Sequence, residues 1–143
     1  MPSKAKDIMS SPVITVRAET TVDEALGLML QKNVSGLPVV DDENHVVGII
    51  SQFDLLKPLY DQLQLTSTSV TRYMSSKVHT VNEDDFLIDV AQVFITYPIR
   101  RVPVVKDGKL VGVISRRDIV RYIRDVRRQV TEEWRVNHPL PPE

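Results

Sequence analysis

The chain has 143 residues, 42% of them hydrophobic and 26% charged, with 18 Lys and Arg against 19 Asp and Glu for a formal net charge of −1. These are the proportions of a soluble globular protein, and they leave no net field to attract nucleic acid or a membrane surface. No apolar run is long enough to cross a bilayer, Lys4, Lys6 and Asp7 interrupt the start where a secretory signal would need an apolar core, and the absence of cysteine excludes disulfide scaffolds, thiolate nucleophiles and cysteine-ligated metals, so a cytoplasmic location is expected.

In chain order, residues 13–16 read as a short strand. Thr21 then opens a helix with Glu24 at the reciprocal capping-box position, and Val22, Ala25, Leu26, Met29 and Leu30 form its apolar stripe. Gly36 and Pro38 punctuate the exit, after which the apolar runs 37–40 and 46–50 flank the polar turn 41–45 as a hairpin, and a second helix begins after Ser51. Residues 62–69 are polar, with 66–69 a flexible linker. The order then recurs. A strand is predicted over 78–81, a helix capped by Asn82 with Phe86, Leu87, Val90, Ala91, Phe94 and Ile95 inward, strands over 102–106 and 110–114 around a turn at Asp107-Gly108, and a helix after Ser115. Ile119, Ile123, Val126, Val130 and Trp134 extend that helix at helical spacing, and 138–143, rich in proline, is expected to be loose.

This recurrence is the strongest signal in the chain. Met9 and Pro38 reappear as Met74 and Pro103 at one offset, whereas Gly48 and Asp54 reappear as Gly112 and Asp118 one residue closer, so a single deletion separates the Pro and Gly landmarks. Each copy is about sixty residues, a length at which one core is marginal, so the copies are expected to share an interface. The predicted organisation is a first repeat over 1–62, a linker over 63–69, a second repeat over 70–125, and a C-terminal helix extension with a loose tail over 126–143. The predicted fold class is α+β: two pseudo-twofold-related β-α-β-β-α repeats, each a small sheet packed with helices, plus a long C-terminal helix.

Gly-apolar-apolar-Ser-x-x-Asp closes both copies, at Gly48 to Asp54 and Gly112 to Asp118. A strand ending at Ser just ahead of a helix presents unpaired backbone N–H groups and the positive end of a helix dipole, where a phosphate is favoured. One turn on, Asp54 or Asp118 would offer carboxylate oxygens to the vicinal hydroxyls of a ribose. Ser-x-x-Asp is equally close to an ordinary capping box, in which the acid ties down its own backbone. Both readings stand on the sequence.

The Asp-x-Met opening, the Thr-Val strand, the Pro-Val-Val strand and the Gly-x-x-Ser-x-x-Asp ending, each present twice between about Asp7 and Ile123, resemble a tandem pair of CBS domains, the two-repeat unit called a Bateman module. The resemblance implies a regulatory, non-catalytic module that binds adenine nucleotides (AMP, ADP or ATP) or an S-adenosylmethionine-like ligand in clefts between the repeats, with no catalytic cofactor. It implies composite clefts. One would combine Thr15, Val34, Ser35 and Gly36 with Ser115, Arg117 and Asp118; the other would combine Thr80, Ile99, Arg100 and Arg101 with Ser51, Phe53 and Asp54. Val34 and Ile99 would wall the adenine, Thr15 and Thr80 would read its edge, and the arginines would meet phosphate. The polar residues of the two clefts differ, so unequal affinities are expected. Homodimers and a regulated partner encoded elsewhere are implied as well.

Arg100 and Arg101 ahead of a buried strand are also consistent with a solvated loop pair, and the arginines of the last helix interleave with Asp118, Asp125, Glu132 and Glu133 as internal ion pairs would. Nucleic-acid binding through that helix lacks a groove-reading motif. His45, His79 and His138 are not spaced as metal ligands, and no catalytic constellation is found. A purely structural or dimerisation module with empty clefts is the alternative function.

Overall fold

A computed structural model describes residues 3–62, 64–139 and 141. The elements in order are α1 (Ala5–Ile8), β1 (Val16–Arg17), α2 (Val22–Lys32), β2 (Gly36–Val40), β3 (Val46–Ser51), α3 (Lys57–Asp61), β4 (Val81–Asn82), α4 (Leu87–Thr96), β5 (Arg101–Lys106), β6 (Lys109–Ser115) and α5 (Arg116–Asn137), with 3-10 turns at Asp54–Leu56 and Val70–Arg72. They build two three-stranded sheets, β1-β2-β3 and β4-β5-β6. In each sheet the first pair is parallel and the second antiparallel, so the α+β class and the repeated order follow the sequence reading.

The opening strands are shorter than predicted and shifted along the chain. β1 pairs only at Val16↔Val39 and Arg17↔Val40, and β4 only at Val81↔Val104 and Asn82↔Val105. The prolines explain the limit. Ile49 spends its N–H on Ser75 O at 2.9 Å, away from β2, so its ladder partner Pro38 turns its nitrogen toward β1, where it has no hydrogen to give. Val113 does the same with Ser10 at 3.1 Å, leaving Pro103 facing β4. Parallel pairing therefore stops one residue after each proline, and residues 13–15 and 78–80 run free of the ladder.

Asn82 caps a turn instead of α4. Its Oδ1 accepts from Asp84 N at 3.0 Å and its N–H donates to Asp85 Oδ2 at 2.8 Å, while Phe86 occupies the cap position and Leu87 N donates to Ser3 O. Phe86 and Ile95, expected inward, are 43% and 77% exposed, and Leu30 of α2 is 77% exposed. Thr21 does cap α2, accepting from Glu24 N at 3.1 Å. The next two N–H groups of that helix, on Val22 and Asp23, donate to Thr68 O and Leu65 O. Residues 65–68 are thus tied to a helix start, which differs from a free tether. At the turn between β5 and β6, Asp107 and Gly108 have φ of 51° and 79°, the conformation a two-residue hairpin turn requires. Ile119 of α5 is buried and Val126 half-buried, whereas Ile123 and Trp134 stay exposed. The packing of Val130 and the expected looseness at Leu140, Pro142 and Glu143 lie outside the described residues.

The two cores exchange their opening segments. Val16, Val22, Met29, Leu37, Ile50 and Leu55 of the first repeat enclose Val70 and Tyr73 from the second, and Val81, Leu87, Val90, Val102 and Ile114 enclose Ala5 from the first. Ala5 and Val70 occupy equivalent repeat positions, and both are fully buried. Close approach needs glycine in the sheets they cross. A Cβ on Gly48 would lie 2.6 Å from Met74 Sδ, and one on Gly112 would run into Met9 Sδ. Each core is completed by the other half of the chain, the structural form of the shared interface expected from repeat length.

Candidate functional site

The exchange brings the start of β2 against the start of β5 and leaves a cleft on either side of that contact. The first cavity, of about 490 Å³, lies between the end of β3 and the loop before β5; Ser51, Phe53 and Asp54 line it together with Ile99, Arg100 and Arg101. The second, of about 520 Å³, lies between the end of β6 and the loop before β2; Val34, Ser35 and Gly36 line it with Ser115 and Asp118. Thr80 does not line the first, and neither Thr15 nor Arg117 lines the second.

Sequence reasoning did not single out the crossing arms. Ser75, Lys77, Val78 and His79 line the first cavity, and Ser10, Pro12, Val13 and Ile14 line the second. The repeat alignment carries the signal for them, because Lys77 is the counterpart of Pro12 and His79 of Ile14, immediately ahead of the strands that proline cuts short. His79 stacks on Tyr97 with ring centroids 3.7 Å apart.

Each acid does two things. Asp54 Oδ2 accepts from Ser51 N and Ser51 Oγ, both at 2.9 Å, and its N–H donates to Ser51 Oγ at 3.2 Å. Asp118 Oδ2 accepts from Ser115 N at 2.8 Å, and Asp118 N donates to Ser115 Oγ at 3.2 Å, a complete capping box. The caps hold each carboxylate in one rotamer at the cavity wall through Oδ2 alone, so capping and presentation of a second acceptor oxygen are compatible. Asp118 Oδ1 faces Arg121 Nη1 at 3.7 Å, whereas among the described residues Asp54 belongs to no ion pair. Within each repeat the loop before the proline strand is pinned to the residue after the closing strand by one equivalent bond, Gln52 N to Ser35 O at 2.9 Å and Arg116 N to Arg100 O at 3.0 Å.

Arg101 sits where the repeats meet and lines both cavities. Its guanidinium reaches across to the first repeat, donating to Ser35 Oγ and, at 3.4 Å, to Gly36 O. Gly36 is its repeat counterpart, and a Cβ there would stand 3.5 Å from Arg101 Cδ, so the pair fits as one long side chain over one absent side chain. Burial lowers the Arg101 pKa from its ordinary value; the Asp118 charge opposes that shift and Arg100 adds to it. Half-buried and charged, the guanidinium is a fixed cation shared by two clefts.

Among the described residues no group of three or more His, Asp or Glu is placed to hold a metal, and no helix is long and apolar enough to cross a membrane.

Comparison with known proteins agrees with the two-repeat fold. An uncharacterised protein of Methanocaldococcus jannaschii is 32% identical over 93% of this chain, which spans 45% of that relative's length. A solved CBS domain pair described in complex with 5′-methylthioadenosine and S-adenosyl-L-methionine is 32% identical with a TM-score of 0.78, covering 87% of this chain and 98% of its own. CBSX2 of Arabidopsis thaliana, solved in complex with AMP, is 33% identical with a TM-score of 0.77, covering 87% of this chain and 98% of its own. The CBS domain family model matches residues 5–61 and again 70–125, and the chain belongs to that family as a tandem pair of CBS domains.

Proposed function

We propose that the chain is a regulatory module, not an enzyme, that binds an adenine-bearing ligand in its two inter-repeat clefts: an adenine nucleotide (AMP, ADP or ATP) or a related adenosyl compound such as S-adenosylmethionine. The observation that carries this reading is that both cavities, at equivalent places in the repeat, combine a rigidly capped aspartate from one repeat with the loop before the proline strand of the other. Apolar walls stand beside the acid in each, Phe53, Val78 and Ile99 in the first and Val13, Ile14 and Val34 in the second, as a base ring requires. The ligands named in two similar structures, AMP in one and 5′-methylthioadenosine with S-adenosyl-L-methionine in the other, share the adenosine group and little else, which favours the adenosine group as the common determinant.

In this reading Asp54 and Asp118 grip ribose hydroxyls through the oxygen the cap leaves over, Ile99 and Val34 wall the adenine, and Arg100 and Arg101 meet phosphate. Exposed apolar residues on the helices, among them Leu30, Leu59, Ile88, Ile95 and Ile123, support a homodimer. Ligand occupancy would then act on a cytoplasmic partner protein, or on the dimer's own geometry, through unequal affinity for two arrangements, in the manner of an energy sensor.

Calorimetry with AMP, ATP, S-adenosylmethionine and GMP tests the reading. Saturable binding of at least one adenine compound, weakened by Asp54→Asn or Asp118→Asn, is expected. No adenine compound binding at millimolar ligand would reject it in favour of a structural dimerisation module.

A further inference from the structure

The two cavities are copies of one design, so the residues at which they differ carry information about what each accepts. Four positions of the first repeat that line the second cavity are Pro12, Ile14, Ser35 and Gly36. Their counterparts lining the first cavity are Lys77, His79, Arg100 and Arg101. All four exchanges run from a neutral side chain to a basic one. The four sit on two separate segments, the crossing arm and the start of β5 with the residue ahead of it; Lys77, His79 and Arg100 line the first cavity and not the second, while Arg101, Ser35 and Gly36, at the repeat contact, line both.

The balance of fixed charge follows. Lys77, Arg100 and Arg101 line the first cavity against the single carboxylate of Asp54. Only Arg101 and Asp118 carry fixed charge in the second. Among the described residues Lys77 and Arg100 belong to no ion pair, and both are exposed, while the Arg100 backbone is held by Arg116 N. Unmatched cations around a concavity focus field into it and raise the local concentration of an anion. The N-terminus of α5 gives the second cavity a partial positive charge, which Asp118 in its first turn offsets.

We propose that the first cavity selects ligands carrying a chain of phosphates, with Lys77 and Arg100 as the residues that set this preference and Arg101 anchoring the phosphate nearest the repeat contact. This inference rests on the adenine-ligand reading for its nucleoside part, though not for its anion part. The guanidinium groups match phosphate oxygens in pairs, and Lys77, from the crossing arm, adds a point charge to the same cavity. A ligand with an uncharged tail gains nothing from either.

The test is calorimetric titration of the full chain with ATP, adenosine and inorganic tripolyphosphate at physiological ionic strength. ATP is expected to bind about tenfold or more tighter than adenosine. Lys77→Gln and Arg100→Gln should each weaken ATP about three- to tenfold while moving adenosine by less than about twofold, with unchanged circular dichroism. Lys109→Gln, which removes a cation from the distant β5–β6 turn, should leave ATP within about twofold. Equal affinity for ATP and adenosine, or an ATP affinity indifferent to Lys77→Gln and Arg100→Gln, overturns the proposal. Tripolyphosphate binding that Lys77→Gln weakens, with no binding of any nucleoside, keeps the anion site and rejects the adenine reading. Silence from all three probes overturns both.

Discussion

The first cavity and the second are built from equivalent parts, yet one is lined by three fixed cations and the other by one. The parts that keep the repeat are those that set backbone geometry. Pro38 and Pro103 end the parallel ladder, Gly48 and Gly112 admit Met74 and Met9, and Ser51 with Asp54 closes the turn into a 3-10 segment as Ser115 with Asp118 caps α5. The parts that diverge are side chains facing the cleft. Duplication preserved a scaffold that holds an acid and an apolar wall, and the diverged residues changed what that scaffold can attract.

The largest separation of the cavities should come from their acids. Replacing Asp54 by Asn leaves an acceptor for the Ser51 cap but removes the charge, and should cost the first cavity about 1.5–3 kcal/mol of ligand affinity, roughly ten- to hundredfold. Asp118→Asn should do the same to the second cavity alone. Two-site titrations of each variant check this, and a variant that weakens both cavities equally would show them to be one site.

Next in size is the exchange of opening segments on which both cavities stand. Val70 is fully buried in the first core, so Val70→Ala should destabilise the protein by about 2 kcal/mol in denaturant unfolding. Because each core contains a segment of the other repeat, that loss should appear as one cooperative transition of both repeats. Two separated transitions would contradict the exchanged packing.

A smaller effect sharpens the charge contrast from the other side. Ser35→Arg places on the first repeat the side chain its counterpart Arg100 carries, and should raise ATP affinity at the second cavity about threefold, measured against adenosine as reference. The gain is limited because the Ser35 hydroxyl that accepts from Arg101 is lost in the same step.

The smallest effect distinguishes the two arms. Lys6 Nζ lies 3.1 Å from Asp84 Oδ1, and hydrogen bonding and charge from Lys6 lower the Asp84 pKa. A carboxyl whose folded pKa is depressed stabilises at neutral pH, and that contribution disappears as pH falls through the ordinary Asp range and then the lowered value. The acid limb of stability should therefore be flatter in Asp84→Asn, read as the melting temperature against pH. Glu19 at the equivalent place of the first repeat belongs to no ion pair among the described residues.

Much of this was legible in the sequence because it was written twice. Strand order, the β5–β6 turn at Asp107-Gly108 and the Ser115-Asp118 cap of α5 follow from local patterning that tertiary packing did not override, whereas after Ser51 a turn and a 3-10 segment at Asp54–Leu56 stand where a helix is expected and α3 starts only at Lys57. What escaped was non-local. The runs 13–16 and 78–81 look like strands because their residues suit a pleated surface, and only the orientation of Pro38 and Pro103 in the neighbouring strand shows why pairing stops. Asn82 looks like a helix cap, yet Asp84 and Asp85 draw it into a turn and the cap position falls to Phe86. Leu30 and Ile95 sit on faces that one chain leaves open, and a hydrophobic pattern cannot say which apolar face is covered. Lys77 and His79 are hidden for a different reason: their interest lies in the difference between the copies, whereas the similarities are what make a repeat visible.

The central claim, that each cleft is composed jointly by both repeats, is tested most directly by amide NMR during titration with ATP. Shifts that follow one binding curve at Ser51 to Asp54 and at Lys77, Ile99 and Arg101 are predicted for the first cavity. Shifts confined to one repeat, or to the outer face of α5, would contradict it.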